Sequence, residues 1–125
     1  MRFISFNVNS IKAYLGKNLV SQWEKYHPDV FSMEELKLTE KEHKDFPFSL
    51  PGYETYWTVS KVKKGYAGVA VMTKRKPVKV QYGLEGGKYD DEGRVIIADY
   101  GDFYFVELYV PNSGESPTPK DKPKR

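Results

Sequence analysis

Two stretches of this 125-residue chain, Val69-Ala70-Val71-Met72 and Val95-Ile96-Ile97-Ala98, are apolar at every position. A strand turns alternate residues to opposite faces, so such runs require burial on both sides of their sheet. The last strand-like segment makes the same demand. Phe103, Phe105 and Tyr109 fall on one face, and Tyr104, Val106, Leu108 and Val110 on the other. The helix signals supply little cover. Ile11, Leu15, Leu19, Val20 and Trp23 recur at helical spacing through Tyr26 and predict one long helix, closed by His27-Pro28. Thr39-Glu40-Lys41-Glu42 has the form of a capping box and predicts a short helix ending before Pro47. One sheet face therefore lacks a visible cover, and a second sheet or a partner is expected to pack there.

The remaining pattern is α/β. Residues 3–8 alternate apolar and polar and predict a first strand, and residues 29–33 predict a second. Strand, helix, strand with this connection length is a βαβ unit, so the two strands are expected to be parallel. Beyond Pro51-Gly52, strands are expected at residues 53–59, 68–73, 78–82, 94–100 and 103–110, with Tyr100-Gly101-Asp102 joining the last two as a hairpin. Residues 115–125 hold three prolines and no hydrophobic anchor, which predicts a disordered Pro/Lys-rich tail after a domain spanning 1–114.

Composition narrows the function classes. Aromatics reach 15%, with ten Tyr and seven Phe, enough for a core despite a hydrophobic share of 39%. The chain has no Cys. That excludes disulfides, thiolate-bound zinc and cysteine nucleophiles within it, and it is compatible with a reducing cytoplasm, where the protein is expected. No apolar run approaches the roughly 18 residues of a membrane span, and the first residues read as a strand rather than a signal peptide. The net charge of +3 is modest. Four of the 20 basic and two of the 17 acidic residues lie in 115–125, leaving 16 against 15 in the domain. Global charge thus gives almost no support for nucleic-acid binding. The local run Lys61–Lys64 with Lys74-Arg75-Lys76 would either face a phosphate backbone or sit as solvated loop residues.

Several residues sit where chemistry often sits. Asn7 falls at the C-terminal end of the first strand, and Glu34-Glu35 follow the end of the second. If those strands are parallel neighbours, Asn7 and Glu35 converge at the carboxyl edge of the sheet, where α/β proteins place ligands. A carboxylate and an amide oxygen are hard ligands suited to Mg²⁺ or Mn²⁺; alternatively, Asn7 caps a helix and the acidic pair is solvated. Tyr109 and Asn112 lie where the last strand runs into a polar turn, available to a phosphate or simply packed in an Asx turn. Gly65-Tyr66-Ala67-Gly68 offers flexible backbone beside an aromatic, and Asp90-Asp91-Glu92-Gly93-Arg94 reads as a polar turn. His27 and His43 are isolated, so no His–Asp general-base pair can be named.

Taken in order, these segments resemble the exodeoxyribonuclease III family of apurinic/apyrimidinic endonucleases, within the endonuclease/exonuclease/phosphatase superfamily. Ile4-Ser5-Phe6-Asn7-Val8-Asn9-Ser10-Ile11-Lys12-Ala13 is similar to its opening strand. Pro28-Asp29-Val30-Phe31-Ser32-Met33-Glu34-Glu35-Leu36-Lys37-Leu38 is similar to its second motif, which usually ends Gln-Glu-Thr-Lys-Leu. Pro51-Gly52-Tyr53, Lys64-Gly65-Tyr66-Ala67-Gly68-Val69-Ala70, Asp91-Glu92-Gly93-Arg94-Val95 and Tyr109-Val110-Pro111-Asn112-Ser113-Gly114 match later motifs in the same order. The resemblance implies a four-layered α/β sandwich and a Mg²⁺-dependent phosphodiesterase that cuts double-stranded DNA 5′ to abasic sites, often with 3′-exonuclease and 3′-phosphatase activity. It implies Glu35 and Asn7 in the metal site, with Glu35 the direct carboxylate ligand. It implies Tyr66, Tyr109 and Asn112 at the scissile phosphate, with Tyr109 assisting at the developing charge.

The chain departs from that pattern in two places. Glu34-Glu35-Leu36 stands for Gln-Glu-Thr, which removes a hydroxyl and adds a negative charge beside the implied ligand. The family's second-half motifs, an Asn-Asp pair and a C-terminal Asp-His pair, have no counterpart here. The resemblance therefore implies the N-terminal half of the sandwich: a mixed sheet with helices on one face and the second sheet missing. Three functional readings follow: a truncated phosphodiesterase, inactive or weakly active alone; an assembly module that dimerises or complements a separate C-terminal half; and a non-catalytic DNA-binding fragment.

Overall fold

The computed structural model describes residues 1–15, 19–45, 50–62, 65–84 and 92–110. The tail, Asn112 and part of the basic run lie outside these described residues. Strand β1 (Phe3–Asn7) leads through α1 (Ile11–Leu15) and α2 (Leu19–Tyr26) to β2 (Val30–Glu34), and α3 (Glu40–Asp45) precedes β3 (Glu54–Thr58) and β4 (Val69–Thr73). Three further strands follow: β5 (Lys79–Tyr82), β6 (Val95–Asp99) and β7 (Tyr104–Leu108). The helical stretch forms two segments on either side of residues 16–18 rather than one described helix. The capping box forms as its pattern predicts. Thr39 Oγ1 accepts from the Glu42 N–H at 3.0 Å, and Glu42 Oε1 accepts from the Thr39 N–H at 3.1 Å.

The strands divide into two sheets. The first has the order β1-β2-β4-β3, with β1 and β2 parallel and the other pairs antiparallel; the second is antiparallel, in the order β5-β6-β7. This corrects the expectation that the second sheet is missing: the chain carries three strands of it. The segment 74–78, with Pro77 buried in it, breaks the pairing after β4 and passes the chain to the other layer. The last strands then fold back over the first sheet instead of extending it.

This layering buries both faces of β4, while β6 is buried on the face of Ile96 and Ala98 and its Ile97 is half-buried. Ala70 and Met72 of β4 join Phe31, Met33, Ile11 and Leu36 in a core beneath the helices, with Trp23 packed against it. Val69 and Val71 turn the other way and join Val30, Ile96, Ala98 and Tyr100 in a second core between the sheets. Each Val, Ile, Leu, Met or Phe side chain taken fully out of water contributes roughly 1.5–3 kcal/mol. Tyr100 is fully buried in this second core, where its hydroxyl donates to Thr73 Oγ1 at 2.8 Å and ties the sheets together.

Coverage between the sheets is uneven, because four strands face three. β6 and β7 pack on β4, and β6 also on β3. The β1 residues that point the same way, Phe3, Ser5 and Asn7, are exposed. Phe3 meets the second sheet there, stacking on Phe105 at 5.5 Å and meeting Phe103 edge-on at 6.2 Å.

Candidate active site

The parallel pairing of β1 and β2 sets Asn7 opposite Glu34, so the residue after β2, Glu35, emerges at the same sheet edge. The loops at that edge are held in unusual conformations. Asn9, Ser10, Glu35, Lys37 and Ala67 all have φ between 48° and 88°, the left-handed region that costs a non-glycine residue about 1 kcal/mol or more. Backbone bonds between loops hold them there. The Ser10 and Ile11 N–H groups donate to the Glu35 and Leu36 carbonyls, and the Leu36 and Lys37 N–H groups donate to the Gly68 and Ala67 carbonyls. At Glu35 this backbone turns the carboxylate away from the strand and toward β7.

Glu35 is the centre of the cluster. Its Oε1 accepts from the Tyr109 hydroxyl at 2.5 Å, and its Oε2 lies 3.8 Å from the Lys37 ammonium. The Tyr109 bond first, and a bond with the Asn7 side chain second, hold its carboxyl below the usual carboxylate range. Glu35 is therefore a ready carboxylate at neutral pH. Burial, reinforced by the Glu35 carboxylate, pushes the Tyr109 hydroxyl up to about 12, so this group stays protonated and acts as a donor. Asn7 Oδ1 accepts from the Asn9 N–H at 2.9 Å and keeps a second lone pair. Lys37 Nζ donates to Asn9 Oδ1 at 2.5 Å.

Tyr66 joins this group through Arg94, which reads in the sequence as the end of a polar turn within a matched family motif, with no role of its own. Arg94 is 8% exposed, and its guanidinium lies 5.1 Å from the Tyr66 ring and 5.2 Å from the Tyr109 ring. It donates to the Tyr66 hydroxyl at 2.5 Å and to the Tyr109 carbonyl at 3.4 Å, and pairs with Glu92 at 2.8 Å. Gly93 makes this placement possible. Its φ is +65°, and a Cβ there would sit 2.4 Å from the Val59 carbonyl carbon. The sequence signal for Arg94 was a charged residue opening a strand that is otherwise apolar on both faces.

Four of the five expected site residues, Asn7, Glu35, Tyr66 and Tyr109, thus form one connected group, while Asn112 lies outside the described residues. Glu107 is the other residue that sequence reasoning passed over. It is 4% exposed between the sheets, facing the Glu34 carboxyl and the Ser32 hydroxyl, yet its Oε1 has no hydrogen-bond partner. Burial, and then the Glu34 carboxyl, raise its pKa well above the carboxylate range. In the second basic segment, two side chains are engaged away from this group. Arg75 is committed to Asp102 at 2.9 Å and to the Tyr100 carbonyl, and Lys74 lies over the Tyr53 ring.

The family model for the endonuclease/exonuclease/phosphatase family matches residues 4–124. The chain belongs to that family. Over 114 residues it is 39% identical to the DNA repair nuclease APEX1 of Danio rerio, covering 90% of this chain and 37% of the relative. It is likewise 39% identical to the DNA-(apurinic or apyrimidinic site) endonuclease of Dictyostelium discoideum, covering 91% of this chain and 31% of the relative. The solved AP endonuclease of Leishmania major superposes with a TM-score of 0.78 at 28% identity, over 90% of this chain and 41% of that one. The α/β sandwich is thus the family's fold, and the chain spans less than half the length of these relatives. Among the described residues no helix is long and apolar enough to cross a membrane.

Proposed function

We propose that the chain is the part of a DNA-repair phosphodiesterase that holds the catalytic divalent cation and grips the substrate phosphate at an abasic site in duplex DNA. The observation that carries this reading is the Tyr109–Glu35–Asn7 arrangement, which presents an ionised carboxylate beside an amide side chain at an exposed sheet edge. That donor set fits Mg²⁺ or Mn²⁺, which take one or two protein carboxylates and leave other positions to water and phosphate. It does not suit a metal that demands a closed cage, and no group of three His, Cys, Asp or Glu side chains converges among the described residues. When bound, the cation would polarise a phosphoryl oxygen and stabilise the departing oxyanion.

The chain's own residues set the geometry around that chemistry. Tyr109 keeps Glu35 ionised and aims it. Arg94 fixes the Tyr66 and Tyr109 rings side by side and supplies fixed positive charge behind them, so both hydroxyls are oriented before substrate arrives. Asn112, three residues beyond Tyr109, is assigned by family resemblance to the same phosphate. No described side chain is placed to activate water, which supports a fragment that binds metal and DNA but turns over little. Loss of a catalytic base costs on the order of a thousandfold or more.

Two measurements test the reading. Mn²⁺ titration followed by NMR is expected to broaden the signals of Asn7, Glu35 and Tyr109 first, and Glu35→Gln is expected to abolish that effect. An abasic duplex incubated with Mg²⁺ should be nicked at under a thousandth of the rate given by a full-length relative. Broadening centred elsewhere would remove the metal assignment, and nicking at the relative's rate would show that this chain turns over without a further half.

A further inference from the structure

The inner face of the first sheet carries a polar patch between its apolar core and the edge that holds Glu35. Val30, Ser32 and Glu34 of β2 share this face with Phe3, Ser5 and Asn7 of β1, and the parallel register sets Ser5 beside Ser32 and Asn7 beside Glu34. Glu107 of β7 meets the same patch from the second sheet, two residues from Phe105 and Tyr109, which pack against the core between the sheets. The oxygens gathered there are poorly satisfied. The Ser5 hydroxyl donates to Glu34 Oε2 at 3.1 Å. Glu107, 4% exposed, faces the Glu34 carboxyl and the Ser32 hydroxyl, but its Oε1 has no hydrogen-bond partner. Ser32 is fully buried, and its Oγ has none either. Among the described residues the ion pairs lie elsewhere, Lys37 with Glu35 and Arg94 with Glu92 among them, so no basic side chain answers the two carboxyls.

A proton shared between the carboxyls makes a single hydrogen bond and still leaves the Ser32 Oγ without a partner. A cation among these side chains answers all of them at once, which is how buried carboxylates without a basic partner are accommodated. We propose that Glu34 and Glu107, with the Ser32 and Ser5 hydroxyls, form a second cation site in this chain, one that takes Ca²⁺. Carboxylate and hydroxyl oxygens select a hard cation. Because Ser32 and Glu107 are buried, few waters can accompany the ion on their side, while exposed Ser5 and half-buried Glu34 leave an approach on the other. Mg²⁺ gives up its waters reluctantly and demands near-octahedral geometry, whereas Ca²⁺ accepts irregular oxygen sets with bidentate carboxylates. Glu35 does not belong to this set. Its carboxylate is bonded to Tyr109, and no three His, Cys, Asp or Glu side chains converge among the described residues. Glu34 stands in register with Asn7, so an ion here cancels a carboxylate that would repel a phosphate arriving at that edge. The cation site itself does not depend on the phosphodiesterase reading.

The full 125-residue chain is titrated with CaCl₂, with Mg²⁺ in excess to occupy the Glu35 edge, and its amide and side-chain carboxyl NMR signals are followed. Ca²⁺ is expected to shift Ser5, Ser32, Glu34 and Glu107 together in one saturable step, with a Kd on the order of 10⁻⁴–10⁻³ M, the range of weak calcium modules. Glu107→Gln should weaken this step about tenfold or more, since losing even a supporting partner of a metal site does as much. Ser32→Ala removes a hydroxyl with no partner in the chain. It should weaken the step too, while the unfolding temperature without Ca²⁺ stays near its original value. Absence of shifts at these residues would overturn the inference, and so would a step that Glu107→Gln leaves intact. A step centred on Asn7 and Tyr109 that Glu35→Gln abolishes would put Ca²⁺ in the first site and overturn it as well. Should Mn²⁺ fail to find the Glu35 edge while Ca²⁺ still binds at Glu107, the functional reading falls and this site stands.

Discussion

Tyr109 and Glu35 depend on one another, and the dependence is measurable. Glu35 is held below the ordinary carboxylate range, so its bonds to Tyr109 and Asn7 contribute stability that is present above that range and is lost as pH falls through the lowered value. Tyr109→Phe removes the larger of the two causes. It should destabilise the chain by about 1.5–3 kcal/mol at pH 7, the range for a hydrogen bond to a charged group, and the gap from the unsubstituted protein should close in acid. Urea unfolding at pH 7 and pH 3 checks this, and an equal deficit at both would show that Glu35 is not the partner that matters. Glu107 has the opposite sign. Its raised value means that its contribution is present at low pH and drains away between about pH 4.5 and about 9 as the unfolded chain ionises first. Glu107→Gln should therefore raise stability at pH 8 by on the order of 1 kcal/mol and flatten the pH profile. No gain at pH 8 would mean that the carboxyl is already well paired.

At the scale of elements, most of the chain was legible. β1 and β2 pair parallel in the register that a βαβ unit requires, the capping box forms, and Tyr100-Gly101-Asp102 joins β6 to β7. These are local or near-local signals, set by periodicity and turn chemistry within some thirty residues. Arg94 was not legible, because its meaning comes from two tyrosines 28 and 15 residues away that only the sheet packing brings to its faces. The element that delivers it is the tight passage at Gly93. Gly93→Ala places a methyl against the Val59 backbone at a left-handed φ, and should cost about 2–3 kcal/mol in thermal or urea unfolding. It should also disturb Tyr66 and Tyr109 signals more than those of the helices. A neutral substitution would show that the loop moves freely and cannot be what fixes Arg94.

For the molecule as a whole, the expectation is a monomer with an open edge rather than a self-associating sandwich. Its unfolding temperature should stay constant between roughly 5 and 500 µM chain, whereas a homodimer would gain stability with concentration by mass action. Differential scanning calorimetry across that range decides between them. The sequence by itself determined that β4 is buried on both faces, and that Asn7 and Glu35 reach one sheet edge, because two-residue periodicity and a βαβ connection leave little choice. Only the tertiary structure decided what supplies the second face. Strands separated by Pro77 can extend one sheet or fold over it, and their apolar patterns are the same in either case. Long-range packing chose the second layer, and with it the contact of Tyr109 with Glu35, the burial of Glu107, and the uncovered flank at β1 and β7.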